Sequence, residues 1–145
     1  MPAARKYNVI VWGATGFTGK LVCEYLAREY GGAVSWAVGG RSKAKLDAVL
    51  ADLEGSYKPD IILADSADAA SLASLAKQTK VVITTVGPYA RYGRPLVAAC
   101  VENGTHYVDL SGEAPFVRAM AEKHHAAAEA KGVKIVHCCG FDSIP

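Results

Sequence analysis

Most of the features that mark specialised proteins are missing from this sequence. Sixteen Lys and Arg against 14 Asp and Glu leave a net charge of only +2 over 145 residues. That balance is too small and too evenly spread for a nucleic-acid surface or an anionic membrane, so no nucleic-acid partner is expected. No run approaches the ~18 apolar residues of a membrane span, so no transmembrane segment is expected. The opening Met1-Pro2-Ala3-Ala4-Arg5-Lys6 reads as a short polar leader without the apolar stretch of a signal peptide. Cys23, Cys100, Cys138 and Cys139 show no metal-ligand spacing, and no metal site is expected. They read as small buried hydrophobes, and free thiols fit a reducing, cytoplasmic setting. Internal repeats, linkers and low-complexity tracts are also missing, which leaves one domain of ordinary size, residues 1–145.

What is present is an alternation of short apolar runs with longer helical ones. Strands are expected over Tyr7–Trp12, Val34–Val38, Asp60–Ala64, Lys80–Val86, His106–Leu110 and Lys134–Cys138. Helices are expected over Thr18–Tyr30, Lys43–Leu53, Ala69–Lys77, from near Arg94 to Asn103, and from about Pro115 to Lys131. The first should turn Leu21, Val22, Tyr25 and Leu26 to one face. Gly31-Gly32, Gly104 and Gly132 stand where helices stop. Strands apolar throughout suit a parallel sheet covered on both faces. The expected fold is therefore α/β, a doubly wound, Rossmann-type, six-stranded parallel sheet in the order 3-2-1-4-5-6 between two helical layers.

Between the first strand and first helix lies Gly13-Ala14-Thr15-Gly16-Phe17-Thr18-Gly19. In that context a glycine triplet reads as a phosphate cradle. Gly13 permits a sharp turn, Gly16 lets a pyrophosphate approach the backbone, and Gly19 lets the helix lie close to the sheet. Backbone N–H groups and the positive end of the helix dipole face the phosphates, with Thr15 and Thr18 as further donors. The expected ligand is a dinucleotide cofactor.

The end of the second strand speaks to which one. An NAD site usually has an acid there, about 20 residues past the glycines, to accept from the ribose hydroxyl. Here the residues are Gly39-Gly40-Arg41-Ser42-Lys43, with no acid. Gly40, Arg41 and Ser42, aided by Lys43 or Lys45, can hold a 2′-phosphate, so NADP(H) is expected over NAD(H). The competing reading makes Arg41 a solvated loop residue. Asp65, ending the third strand, can accept from an adenine amino group or serve as a turn acid. Val86, Gly87 and Pro88, ending the fourth, would pass the ribose and nicotinamide.

Residues for chemistry are harder to find. No tyrosine is followed four positions on by lysine, so the short-chain dehydrogenase pair is absent. Asp109 and Glu113, just past the fifth strand, are weak catalytic candidates that could orient a substrate or move a proton. Glu113 reads more readily as an acid at a helix N-terminus. His106 and His137 read as structural, and His124-His125 point in different directions on one helix.

Three segments carry a resemblance: Val11-Trp12-Gly13-Ala14-Thr15-Gly16-Phe17-Thr18-Gly19, then Thr84 to Gly93 with Val108 to Glu113, and finally His137 to Pro145. With these the chain resembles the N-terminal part of the saccharopine dehydrogenase-like oxidoreductases, a group that includes trans-acting enoyl reductases. The resemblance implies a nucleotide-binding domain followed by a substrate domain that this chain lacks. It thus implies a fragment of an oxidoreductase, inactive alone, whose full-length form passes hydride to a carbonyl, imine or enoyl group. A non-catalytic NADP(H)-sensing module that regulates a partner protein is the alternative. The substrate is not legible, and a homo-oligomer stays open.

Overall fold

The computed structural model describes residues 4–140; the leader residues Met1 to Ala3 and the segment Phe141 to Pro145 lie outside the described residues. Six strands and five helices alternate: β1 Tyr7–Trp12, α1 Phe17–Glu29, β2 Trp36–Gly40, α2 Lys43–Asp52, β3 Asp60–Leu63, α3 Ala69–Lys77, β4 Thr79–Thr84, α4 Tyr89–Asn103, β5 His106–Asp109, α5 Ala114–Ala130 and β6 Ile135–Val136. All pair in parallel in the order β3-β2-β1-β4-β5-β6, the doubly wound arrangement expected from the sequence. The reversal of strand order falls between β1 and β4, where the chain leaves β1 to build one wing and returns at β4 to build the other.

Each sheet face supports its own core, because strands that show no polar side must be covered twice. On the α1 and α2 side the core holds Val11, Trp36 and Val38 from the strands with Leu46 and Val49 of α2. On the α3, α4 and α5 side it holds Ile10, Val82 and Tyr107 from the strands with Leu72, Leu75, Leu96 and Phe116 from the helices. Arg5 ties the second layer together from below. Its guanidinium donates to the carbonyls of Ala76 and Lys77 at the end of α3, and to that of Asn103 at the end of α4. A cation there satisfies carbonyls that the helices leave open.

Most elements shift by one or two residues at an end, β4 closing at Thr84 and not at Val86, and four departures from the sequence pattern have a visible cause. Strand β2 starts at Trp36 and runs through Gly39-Gly40, because those glycines pair with Trp12 of β1 and Leu63 of β3. Helix α4 starts at Tyr89, not near Arg94, and takes Pro95 into its interior. The Glu113 carboxylate, distant in sequence, accepts from the N–H groups of Tyr89 and Ala90 and so fixes the earlier start. Strand β6 is only two residues, because Cys138 turns to φ 59 and its N–H goes to Asp109 instead of the ladder.

Helix α1 buries Gly19, Cys23 and Leu26, with Val22 partly covered, while Leu21 and Tyr25 are each 49% exposed. The cause is Gly19: a Cβ on it would lie 2.0 Å from the Gly13 carbonyl oxygen, so this face of the helix must meet the loop. That contact sets the rotation of the whole helix and overrides the apolar pattern. The cysteines divide in the same way. Cys23 and Cys100 are buried, and burial pushes both thiols up to about 12, but Cys138 is half-buried and Cys139 exposed.

Candidate functional site

At the carboxyl edge of the sheet, the exits of β1, β2, β3 and β4 open onto one cleft of about 780 Å³. It gathers Gly13, Thr15 and Gly16 from the β1 exit, Gly40 and Arg41 from β2, Asp65 from β3, and Val86 and Gly87 from β4. Eight of the sequence-selected residues thus share one cavity.

The three glycines of the loop differ in what the chain itself demands of them. Gly13 has φ +87, and a Cβ there would lie 2.6 Å from Val86 Cγ2. Gly19 cannot carry a side chain at all, as the clash with the Gly13 carbonyl shows. Gly16 is otherwise: its φ of −77 suits any residue, and a Cβ would meet only the Gly13 oxygen at 3.5 Å, an ordinary contact. A tight turn accounts for the first and third glycines but not for the second. The remaining reason for a glycine there is close approach by a group from outside the chain.

Gly16 is also the N-cap of α1, and without a side chain it offers no oxygen to the first-turn N–H groups. Helix α2 is capped by Ser42, which accepts from the Lys45 N–H, and α3 by Asp68, which accepts from Ala70 and Ser71. The α1 N-terminus therefore keeps its donors and its dipole directed at the loop. Ala14 is fully buried behind the loop, whereas Phe17 is 83% exposed.

On the β2 side, Arg41 is an exposed cation on the cleft wall. Ser42 and Lys45 sit behind it at the start of α2, Ser42 Oγ being engaged as the cap, and Lys43 pairs with Asp47 at 2.8 Å. Asp65 faces the cleft while its Oδ1 accepts from the Ala67 N–H at 2.8 Å, an Asx-type turn. At the β4 exit, Thr85 Oγ1 reaches the Gly13 carbonyl at 3.3 Å and stitches the loop to the neighbouring strand. Pro88 is the N-cap of α4, outside the cleft lining.

Asp109 and Glu113 stand away from the cleft, and both are engaged within the chain. Asp109 is 2% exposed at the end of β5. Its Oδ1 accepts from the Ser111 N–H, the Ser111 hydroxyl and the Cys138 N–H, and its Oδ2 from the Tyr107 hydroxyl and His137 Nδ1, both at 2.7 Å. Burial alone would raise its pKa, but donors from His137, Ser111 and Tyr107 outweigh that and hold it at about 2. The carboxylate is ionised, so His137 carries its proton on Nδ1. The Tyr107 phenol is pushed up, by burial first and then by the Asp109 charge. Glu113 bridges from the start of α5 to the N-terminus of α4. The neighbouring Tyr89 phenol donates to the Thr84 carbonyl at 3.2 Å and is raised to about 12, chiefly by burial.

Sequence reasoning missed the outer wall of the cleft. Arg91, Tyr92 and Pro95 of α4 line it, together with Ser66, Ala67 and Ala69 from the β3–α3 connection. In the sequence Tyr92 is one more tyrosine without a lysine partner. The earlier start of α4, set by Glu113, is what brings these side chains to the cleft.

A family model described as the saccharopine dehydrogenase NADP binding domain matches residues 9–136. The chain belongs to this family. A trans-acting enoyl reductase from Mycobacterium tuberculosis is 46% identical over 146 residues, covering 99% of this chain and 34% of that protein. A trans-acting enoyl reductase from Mycobacterium leprae shows the same identity and coverage. The saccharopine dehydrogenase-family chain described here thus spans about a third of the length of these curated relatives. Among solved structures, apo saccharopine dehydrogenase (L-Glu forming) from Saccharomyces cerevisiae matches with a TM-score of 0.77 at 22% identity, covering 94% of this chain and 28% of that one. At that identity the likeness is one of fold. Among the described residues no helix is long and apolar enough to cross a membrane.

Proposed function

We propose that this domain holds NADP(H) for an oxidoreductase whose full-length form reduces a carbonyl, imine or enoyl group. Given the names its relatives carry, an enoyl group is the leading case. The observation that carries the proposal is Gly16, whose missing side chain has no explanation inside the fold. An anion drawn onto the uncapped N-terminus of α1 supplies one.

The loop Gly13 to Gly19, with Ala14 and Gly19 as buried supports and Thr15 and Thr18 as hydroxyl donors, holds the pyrophosphate. The backbone at Phe17 lies in the first turn of α1, among its free N–H groups. Gly40 and Arg41 receive the 2′-phosphate, with Ser42 and Lys45 behind them. Asp65 keeps one oxygen for an adenine amino group. Val86 and Gly87 carry the wall toward the nicotinamide, whose hydride chemistry is the cofactor's own, and Pro88 follows them as the cap of α4. Asp109 and Glu113 act as positioning residues: Asp109 fixes the chain beyond β6, and Glu113 fixes the start of α4. Substrate groups would come from the rest of the full-length protein.

The test is a titration of the purified chain, read by calorimetry and thermal melting. NADPH is expected to raise the melting temperature and to bind at least about tenfold more tightly than NADH. Arg41→Asp should reverse that order, since it puts an acceptor for the ribose hydroxyl in place of the phosphate clamp. A wild-type chain indifferent to both nucleotides would overturn the proposal; unchanged selectivity in Arg41→Asp would overturn the role of Arg41 alone.

A further inference from the structure

We infer that Tyr92 is the stacking platform for the adenine ring of the bound nucleotide, an assignment that rests on the NADP(H) reading above. The cleft is chemically divided. Its floor, at the β1 and β2 exits, has the uncapped N-terminus of α1 and the Arg41 guanidinium, and suits phosphates. Its outer wall is of another kind. Helices α3 and α4 pack along each other on one face of the sheet. Ala67 and Ala69 line the cleft from the α3 side, and Tyr92 and Pro95 from the α4 side.

Tyr92 and Pro95 are three positions apart on one helix and so share a face. The apolar part of the wall is thus two methyl groups, a pyrrolidine ring and one aromatic face, with Asp65, Ser66 and Arg91 as its polar members. Arg91 is the one cation in that set, and its guanidinium is engaged against the Tyr92 ring. The wall fits a flat heterocycle, held by its π-face and by one hydrogen bond from an exocyclic amino group to a carboxylate.

Position along the sheet says which end of the dinucleotide lies there. The strand order puts β3 beyond β2 on the side away from β4. If Arg41 at the β2 exit meets the phosphate on one ribose, the base on that ribose extends toward the β3–α3 connection, where Asp65 and Ala67 stand. Tyr92 reaches the same cavity from the other helix. The Arg91 guanidinium lies 5.2 Å from the Tyr92 ring centroid, within cation–π range, which helps to hold the ring in place. The ring is half-buried, leaving part of its surface available.

The experiment compares 2′,5′-ADP, which has the adenine end but no nicotinamide, with NADPH. Both are titrated by calorimetry into wild type, Tyr92→Ala and Tyr92→Phe. Tyr92→Ala is expected to weaken both ligands by the same factor, about tenfold or more, while Tyr92→Phe stays within about twofold of wild type. If Tyr92→Ala weakens NADPH but leaves 2′,5′-ADP unchanged, the ring serves the nicotinamide end and the inference is overturned. Unchanged binding of both ligands overturns it as well. Should the alanine variant melt early, Tyr92→Leu keeps apolar bulk without an aromatic face and carries the same expectation. A wild type that binds neither ligand would remove the NADP(H) reading itself, a result visible before any variant is made.

Discussion

Helices α1 and α4 start at the carboxyl ends of neighbouring strands, yet their N-termini are completed in opposite ways. Helix α1 begins on Gly16 with no side-chain acceptor. Helix α4 has the Glu113 carboxylate on its first two N–H groups. The same division runs through the two wings of the sheet. Beside β1 and β2 the polar groups at the strand ends face the cleft. Beside β5 and β6 they face one another, with Asp109 alone accepting five hydrogen bonds. One wing is built to be completed by a ligand and the other completes itself. A carboxylate at the head of α4 also makes that terminus a poor anion site, which leaves α1 to take the phosphates.

The sharpest way to break this contrast is Asp109→Ala. It would leave Tyr107, Ser111 and His137 without their buried acceptor, and the loss is expected to be about 3–5 kcal/mol. Urea denaturation measures it. A loss under about 1 kcal/mol would show that the β5–β6 wing does not depend on this hub.

Next comes a pair of glycines. Gly19→Ala drives a methyl into the Gly13 carbonyl, where the space is only 2.0 Å, and should cost about 3 kcal/mol or more. Gly16→Ala meets only ordinary contacts, and stability should stay level or rise by about 0.5 kcal/mol through the unfolded chain. NADPH affinity of the Gly16 variant should nevertheless fall about tenfold or more, because the methyl stands where a phosphate must approach. Paired unfolding curves and titrations separate the two. Equal affinity in Gly16→Ala and wild type would remove the main support for the cradle.

The two wings were not equally legible in the sequence. The floor of the cleft was the legible part, because each requirement there is local: a strand, three glycines at fixed spacing, then a helix. Arg41 and Asp65 followed from their places at strand ends. The other wing depends on partners far apart in the chain. Asp109 and His137 are 28 positions apart, and Glu113 and Tyr89 are 24 apart. No periodicity reports such a pairing. The sequence pattern therefore starts α4 five residues late, makes β6 too long, and gives Tyr92 no role. The rotation of α1 failed for a related reason, since a single backbone contact at Gly19 outweighed a stripe of apolar residues at helical spacing.

Acid should weaken the self-completed wing through Asp109. The Asp109 carboxyl lies at about 2 in the folded chain against an ordinary value of 3.8. A depressed folded pKa gives stability that is whole above the unfolded value and is lost as pH falls through the folded one. The window is therefore pH 4 down to about 2, and the contribution is about 2 kcal/mol. Stability measured across that range should fall more steeply in wild type than in Asp109→Asn, which has no proton to take up at this site. Parallel slopes would mean that Asp109 is not the group titrating.

The smallest expected effect tests the cap itself. Glu113→Gln keeps the shape and one acceptor oxygen but removes the charge that faces the first turn of α4. A charged cap is worth more than a neutral one there, both as a hydrogen-bond acceptor and against the helix dipole, so the loss should be about 1 kcal/mol. The consequence for function is indirect. The outer wall of the cleft, Arg91, Tyr92 and Pro95, lies in the first two turns of α4, which this cap holds in place. NADPH affinity should weaken by no more than a few-fold, and protection of the Tyr89 and Ala90 amides from hydrogen exchange should drop while that of the α1 amides stays the same. If the α1 amides lost protection equally, the two helix starts would be one cooperative unit, and the contrast between them would not hold.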